Sequence, residues 1–333
     1  MMCLPDHNKD GYKKPCRGKT RDRYNNIKRK TAVVMLTVLL VTTVSCSDRI
    51  VINFEHEPVN GGVSITKYIG SSAEVLIPDS IDGQPVVSIG ERAFYNNRDI
   101  LSVTIPDNVT SIGNEAFKDC VHLERIVMGD GIRSIGNEAF RECIYLESVI
   151  MGNHVMSIGD RAFQDCKSLV NIIIPDSVTS IGEWAFAFCD GEPRSGIGDP
   201  IGSGLIKATI GDGVTSIGRA AFSGCGSLAS LALGNSITDI GSGAFSGCVS
   251  LLRVLLPDSL ASIEMMEVSG VELGAFSGCP GLAVNYKGKI YESSILGEWM
   301  DVSIGMGGSA ASLGSQRSQY DLPKAFYNAV NGK

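Results

Sequence analysis

The phrase SIGNEAFKDC, beginning at Ser111, returns as SIGNEAFREC at Ser134, SIGDRAFQDC at Ser157 and SIGEWAFAFC at Ser180. Variants begin at Ser88, Ser216, Asp239 and Ser262, so every start lies 23 residues after the last except for one gap of 36, between Ser180 and Ser216. A fixed period held over eight units specifies a stack of repeats, a solenoid, in which each unit completes its core only against its neighbours. Many glycines (39) and few aromatics (7%) suit the short strands and frequent turns such a stack needs.

Each unit reads alike. Ile112–Gly113 opens it, Ala116–Phe117 follows, then Cys120 and Leu123. An alternating strand comes next, with Ile126 and Met128 facing one way and Arg125 and Val127 the other. Pro or Gly followed by Asp or Asn then turns the chain, as at Pro106–Asp107, Gly129–Asp130, Gly152–Asn153 and Pro175–Asp176. No unit buries its Ile, Phe, Leu and Cys alone. Stacking at the ~4.8 Å spacing of paired strands puts like side chains in ladders, the longest being Phe94, Phe117, Phe140, Phe163, Phe186, Phe222, Phe245 and Phe276. Burial of each Phe is worth about 1.5–3 kcal/mol.

This pattern resembles the BspA-like leucine-rich repeat family of bacterial surface proteins, whose unit reads L-x-x-I-x-I-P-x-x-V-x-S-I-G-x-x-A-F-x-x-C; the likeness covers residues 63–285. The resemblance implies a β-rich solenoid of short strands and turns. It also implies adhesion to extracellular and host proteins, through repeats that supply no catalytic residues. Val63 to Val87, ending IPDSIDGQPVV, is similar to the family's N-terminal β cap. The repeats then occupy 88–286, with insertions at 190–204 and 264–274. A flexible Gly/Ser-rich segment is expected over 287–319 and a C-terminal helix over 320–333. In that helix Asp321 is the expected N-cap, and Leu322, Phe326, Ala329 and Val330 share one side, so that it docks as a cap or serves as a partner motif.

The first 45 residues differ in kind. They hold 10 Lys+Arg and 3 Asp+Glu, followed by the apolar run Thr31–Val44 and the small Ser45. Fourteen helical residues reach ~21 Å, short of the ~30 Å hydrocarbon core, so residues 1–45 read as a secretory signal peptide. Cys46, in VTTVSCS, resembles the cysteine of a bacterial lipoprotein box, with Thr43 where Leu is usual. That resemblance implies a lipidated Cys46, a linker over 46–62 and attachment to a membrane, at the cell surface or in the periplasm. Ordinary secretion and an uncleaved anchor are the alternatives. From Cys46 onward the chain carries 29 − 10 = 19 basic and 36 − 3 = 33 acidic residues, a net of −14. Such a body repels nucleic acid and attracts basic partners at long range.

Seven of ten cysteines share one repeat position (Cys120, Cys143, Cys166, Cys189, Cys225, Cys248, Cys279), which predicts parallel, reduced core thiols rather than disulfides. No CxxC or His pair offers a zinc site, and HExxH, GxSxG and Walker motifs are missing from the sequence. The GxGxxA at Gly305–Ala310 is followed by no βαβ unit and reads as linker. No catalytic residue, cofactor or metal is therefore expected, and the expected partner is a protein of the extracellular matrix, a host or the envelope.

The outward strand positions form two columns: Thr104, Val127, Ile150, Ile173, Thr209, Ala232, Leu255, and beside it Ser102, Arg125, Ser148, Asn171, Lys207, Ser230, Arg253. The first is apolar for a solvated surface, which marks Arg125, Val127, Ile150 and Ile173 as candidate partner contacts. The competing reading is that β-branched residues simply favour strands. The two insertions are rival sites. An adhesin and an envelope scaffold that meets no host fit this sequence equally.

Overall fold

In a computed structural model, the described residues are 53–191, 202–268, 271–295, 320–322 and 324–332. The signal peptide, Cys46, the middle of the first insertion and the Gly/Ser-rich stretch 296–319 lie outside them. The described residues all belong to one compact unit.

Two parallel ladders build the stack. The first is made by the Ser-Ile pairs that open the units. It runs from Gly62–Tyr68 through Gln84–Ile89 to Ser111–Ile112, and on without interruption to Ser262–Ile263, serine on serine and isoleucine on isoleucine. One partner substitution occurs, Asp239 for serine. The second ladder is the longer strands, such as Ser102–Ile105 and Arg125–Met128, paired in register. Between the two, the Ala-Phe segments form a third set of links. Each Phe N–H donates to the Ala carbonyl of the following unit at 2.7 Å, from Phe94→Ala116 to Phe245→Ala275.

These links hold the Phe rings 4.6–5.4 Å apart, nearly parallel, from Phe94 to Phe276. The thiols do more than fill space. Each of the seven is buried and in no disulfide among the described residues, and its Sγ donates to the Phe carbonyl of the preceding unit at 3.0–3.3 Å. That bond fixes why a small polar hydrophobe, rather than Ala, stands at this position. Burial pushes the Cys120 thiol up to about 12 and the Cys143 and Cys166 thiols well above the ordinary range, so none is a ready nucleophile.

The turn linking the ladders needs two left-handed residues per unit. Arg92 and Asn96, Glu115 and Asp119, Glu138 and Glu142, Arg161 and Asp165, and Trp184 and Phe188 all have φ between 53° and 63°. A non-glycine residue there costs about 1–2 kcal/mol. Later units replace the second of the pair with Gly224, Gly247 and Gly278.

The ends depart from expectation. The linker expected up to residue 62 is instead folded from Phe54: Phe54–Val59 pairs antiparallel with Gly62–Tyr68. The reason is the Phe ladder, whose first ring would otherwise face water. Tyr68 stacks on Phe94 at 5.2 Å and Phe54 closes over both. At the other end, the segment expected to be flexible from 287 forms Lys289–Glu292, hairpinned with Ala283–Tyr286. The second insertion forms a hairpin, Met266–Val268 with Val271–Leu273. Asp321 lies in a two-residue strand with Tyr320, paired to Ser294–Ile295, so it is not the cap of the helix, which spans Lys324–Val330. Leu322, Phe326 and Val330 are buried as expected, but Ala329 is exposed and Tyr327 takes its place. Just past the helix, the Asn331 amide accepts from the Ile263 N–H at 2.9 Å and donates to the Ile263 carbonyl at 3.0 Å. One side chain thereby satisfies the open edge of the Ser-Ile ladder.

Candidate partner-binding face

Alternation along the long strands sends Ile126 and Met128 into the core and leaves Arg125 and Val127 outside. The same register places Ile150 opposite Val127, and Ser148 opposite Arg125. Ile150 and Ile173 are 54% and 69% exposed, Val127 is half-buried and Arg125 is exposed. The column extends past the predicted residues. Glu74–Leu76 pairs in register with Ser102–Thr104, which puts Leu76, 74% exposed, at its start. Leu255 is 68% exposed near its far end, with Leu252 exposed close by. Leu76 was hidden from repeat arithmetic because the cap carries no SIG phrase to number it from.

The face is not the continuous stripe that an even 4.8 Å spacing implies. The long strands form separate sheets, and no ladder joins Ser148–Ile150 to Asn171–Ile174, or Ser230–Ala232 to Arg253–Leu255. The candidates are therefore divided: Arg125, Val127 and Ile150 lie on one sheet, Ile173 on the next. A cleft of roughly 780 Å³ lies at the first break, with Ile150 and Ile173 on its two walls.

The opposite chemistry occupies the SIGNEAFKDC side. Glu138 holds Lys118 at 2.7 Å and Arg141 at 2.9 Å, with Arg161 at 3.8 Å. Burial would raise the Glu138 carboxyl, but the Lys118 and Arg141 hydrogen bonds outweigh it and hold it below the ordinary range. Buried Lys167 bridges Asp190 at 2.8 Å and Asp165 at 3.3 Å. Asp119 goes the other way: burial and a hydrogen bond with Glu142 raise its carboxyl. The buried charges of this side are matched within the fold, and the exposed Glu91 and Glu183 beside them, which join no ion pair among the described residues, are acidic. Arg125, Lys207 and Arg253, on the strand face, also join no ion pair among the described residues. Among those residues no group of three or more His, Cys, Asp or Glu is placed to hold a metal, and no helix is long and apolar enough to cross a membrane.

The BspA type leucine-rich repeat region is matched in six copies, over residues 74–192 and 202–282. The crystal structure of a leucine-rich repeat protein of T. pallidum is 33% identical, with a TM-score of 0.54 over 61% of this chain and 90% of that one. A leucine-rich cell surface protein of Faecalibacterium prausnitzii is 24% identical over 73% of this chain and 88% of its own, with a TM-score of 0.28. A leucine-rich repeat protein of Bacteroides capillosus is 28% identical over 39% and 83%, also with a TM-score of 0.28. No curated protein matches.

Proposed function

The chain belongs to the BspA-type leucine-rich repeat family of bacteria, and from that premise we propose that it is an exported, lipid-anchored protein that binds another protein through the outward face of its long strands. The observation that carries this reading is the contrast between the two sides of the stack. The strand face exposes Leu76, Ile150, Ile173 and Leu255 beside Arg125, Lys207 and Arg253, while the ion pairs of the other side are satisfied internally. Exposed apolar area of this extent marks interaction sites, and Arg is enriched where binding energy concentrates. At the cell surface the protein acts as an adhesin.

A pull-down against envelope and extracellular matrix proteins, repeated with Ile150→Lys, tests the binding surface. Capture should weaken by at least about tenfold, which is ~1.4 kcal/mol, with folding intact because Ile150 faces solvent. Unchanged capture would remove the strand face from consideration. Cys46→Ala should release the protein from membranes; detection of residues 1–45 in the mature protein by intact mass would sink the lipid anchor. Protease treatment of intact cells separates an adhesin, which is degraded, from an envelope scaffold, which is protected.

A further inference from the structure

The turns of successive units follow an order of three. They read Pro106–Asp107, Gly129–Asp130, Gly152–Asn153, then Pro175–Asp176, Gly211–Asp212, Gly234–Asn235, then Pro257–Asp258. The long-strand ladder breaks twice, each time where a Gly-Asn turn is followed by a Pro-Asp turn. Both breaks have a proline on the downstream side and a Gly-Asn turn on the upstream side; a proline alone does not break the ladder, since Pro106 follows a strand that stays paired with Glu74–Leu76. Gly129 and Gly211 donate their N–H to Ile105 and Ile174 of the preceding unit at 2.9 Å. Pro175 and Pro257 have no N–H to donate. Gly152 and Gly234 also lean backwards, so close to the carbonyls of Gly129 and Gly211 that a Cβ on either would lie 2.2 Å away.

The turn side chains repeat the pattern. Asp107, Asp130, Asp176 and Asp212 each accept the backbone N–H of the next turn at 2.8–2.9 Å. Asn153 and Asn235 instead turn their Nδ2 back to Asp130 and Asp212, at 3.3 and 3.1 Å, and neither accepts from the next turn among the described residues. Behind the breaks the stack stays joined. Ser177 and Ser259 donate to Val155 and Ile237 at 2.6 and 2.7 Å, and the Ser-Ile and Phe ladders run straight through.

The seams open into the core. Inward positions that are fully buried at Val103, Ile126, Ile172, Ala208 and Val254 are only partly covered at the upstream edge of each break, where Val149 and Met151, and likewise Leu231 and Leu233, stand. Basic residues bracket both seams at the same height on the strands: Arg125 and Lys207 for the first, Lys207 and Arg253 for the second. Glu147 and Asp176 also line the first seam. Asp176 is engaged by the Asp212 N–H, and Glu147 stands one residue before Ser148, the position paired with Arg125.

We propose that the two seams are equivalent docking grooves for one extended segment of a partner protein, with apolar residues separated by acidic ones. Three strand spacings put the grooves about 14 Å apart. Four residues of extended chain span about the same distance. Apolar side chains at i and i+4 then enter both grooves, and a carboxylate at i+2, on the same face of the extended segment, meets Lys207. This proposal rests on the strand face being the binding surface.

The test uses the full chain and a fluorescein-labelled nine-residue peptide, Glu-Ser-Leu-Ser-Glu-Ser-Leu-Ser-Glu, whose leucines and glutamates share one face when extended, read by polarisation. Replacing either leucine with serine, or every glutamate with lysine, should weaken binding at least tenfold. Closing the first seam with Pro175→Gly and Asn153→Asp supplies the missing N–H and the missing acceptor. It should slow amide hydrogen exchange over 147–151 and 170–174 and cost at least tenfold in peptide affinity. Ile173→Ser, on the exposed wall, should weaken binding whether or not closure succeeds. No binding to the unmodified chain, or binding to the closed and Ile173→Ser variants as tight as to the unmodified chain, overturns the proposal. If a captured partner is lost with Ile150→Lys but kept by the closed variant, the strand face stands and the seams fall. If both variants keep it, both readings fall.

Discussion

Truncating Phe163 to alanine removes one rung from the middle of the Phe ladder. The ring is fully buried, with Phe140 at 5.0 Å on one side and Phe186 at 5.1 Å on the other. Loss of burial plus the residual cavity costs about 3–5 kcal/mol for a Phe→Ala change in a core. Relaxation is hindered here, because the backbone on both sides is pinned by the Phe163→Ala185 and Phe140→Ala162 bonds at 2.7 Å, and by the Cys189 thiol on the Phe163 carbonyl. The cost should therefore fall in the upper half of that range. In a stack with nearest-neighbour coupling, a weak central interface also lets the halves unfold separately. Urea denaturation followed by circular dichroism should show a lower midpoint and a shallower transition for Phe163→Ala. Asn171→Ala, at an exposed strand position, should shift stability by under about 0.5 kcal/mol. Similar losses from the two changes would refute the register on which the whole fold argument stands.

Two further outcomes follow from the burial of thiols and carboxylates. A fragment of residues 50–333 carries only the seven ladder cysteines, and at pH 8 these should resist a thiol reagent until denaturant is added; fast labelling of the native protein would contradict their burial. Glu138 and Asp119 should respond to pH in opposite senses. The lowered Glu138 carboxyl contributes stability above its ordinary value of 4.5 and loses it as pH falls further, so Glu138→Gln should lower the Tm at pH 7 and matter less in acid. The raised Asp119 carboxyl costs stability once it ionises, so Asp119→Gly should raise the Tm at pH 7. Below pH 3.8 that gain should shrink to the left-handed backbone contribution, about 1–2 kcal/mol; a Tm difference independent of pH would contradict the assignment.

Most of the fold is legible because repetition amplifies a weak local signal. The Phe and Cys ladders and the inward–outward alternation follow from numbering eight copies of one phrase. What stayed hidden lies where copies differ or run out. Phe54 and Tyr68 cap the ladder from outside the repeat, and only the exposed face of Phe94 explains them. The left-handed turn positions are masked by charged residues in early units, although the SGC triplets at Ser223, Ser246 and Ser277 point to them. Ala329 was misassigned because a seven-residue helix following a strand turns a different side inward than one capped at Asp321. At the candidate site, the outward placing of Arg125, Ile150 and Ile173 could be read from alternation. The division between Ile150 and Ile173 could not, because it depends on how a proline turn sits against an asparagine turn one unit back.

Site-specific photo-crosslinking bears most directly on the claim that the strand face is the binding surface. A photoreactive residue replaces Ile150 in one variant and Glu183 in another; both positions are exposed, but Glu183 follows the Ser-Ile strand rather than lying on a long one. After illumination with a captured partner, the account predicts crosslinks from position 150 and none from position 183. Crosslinks from 183 alone would contradict it.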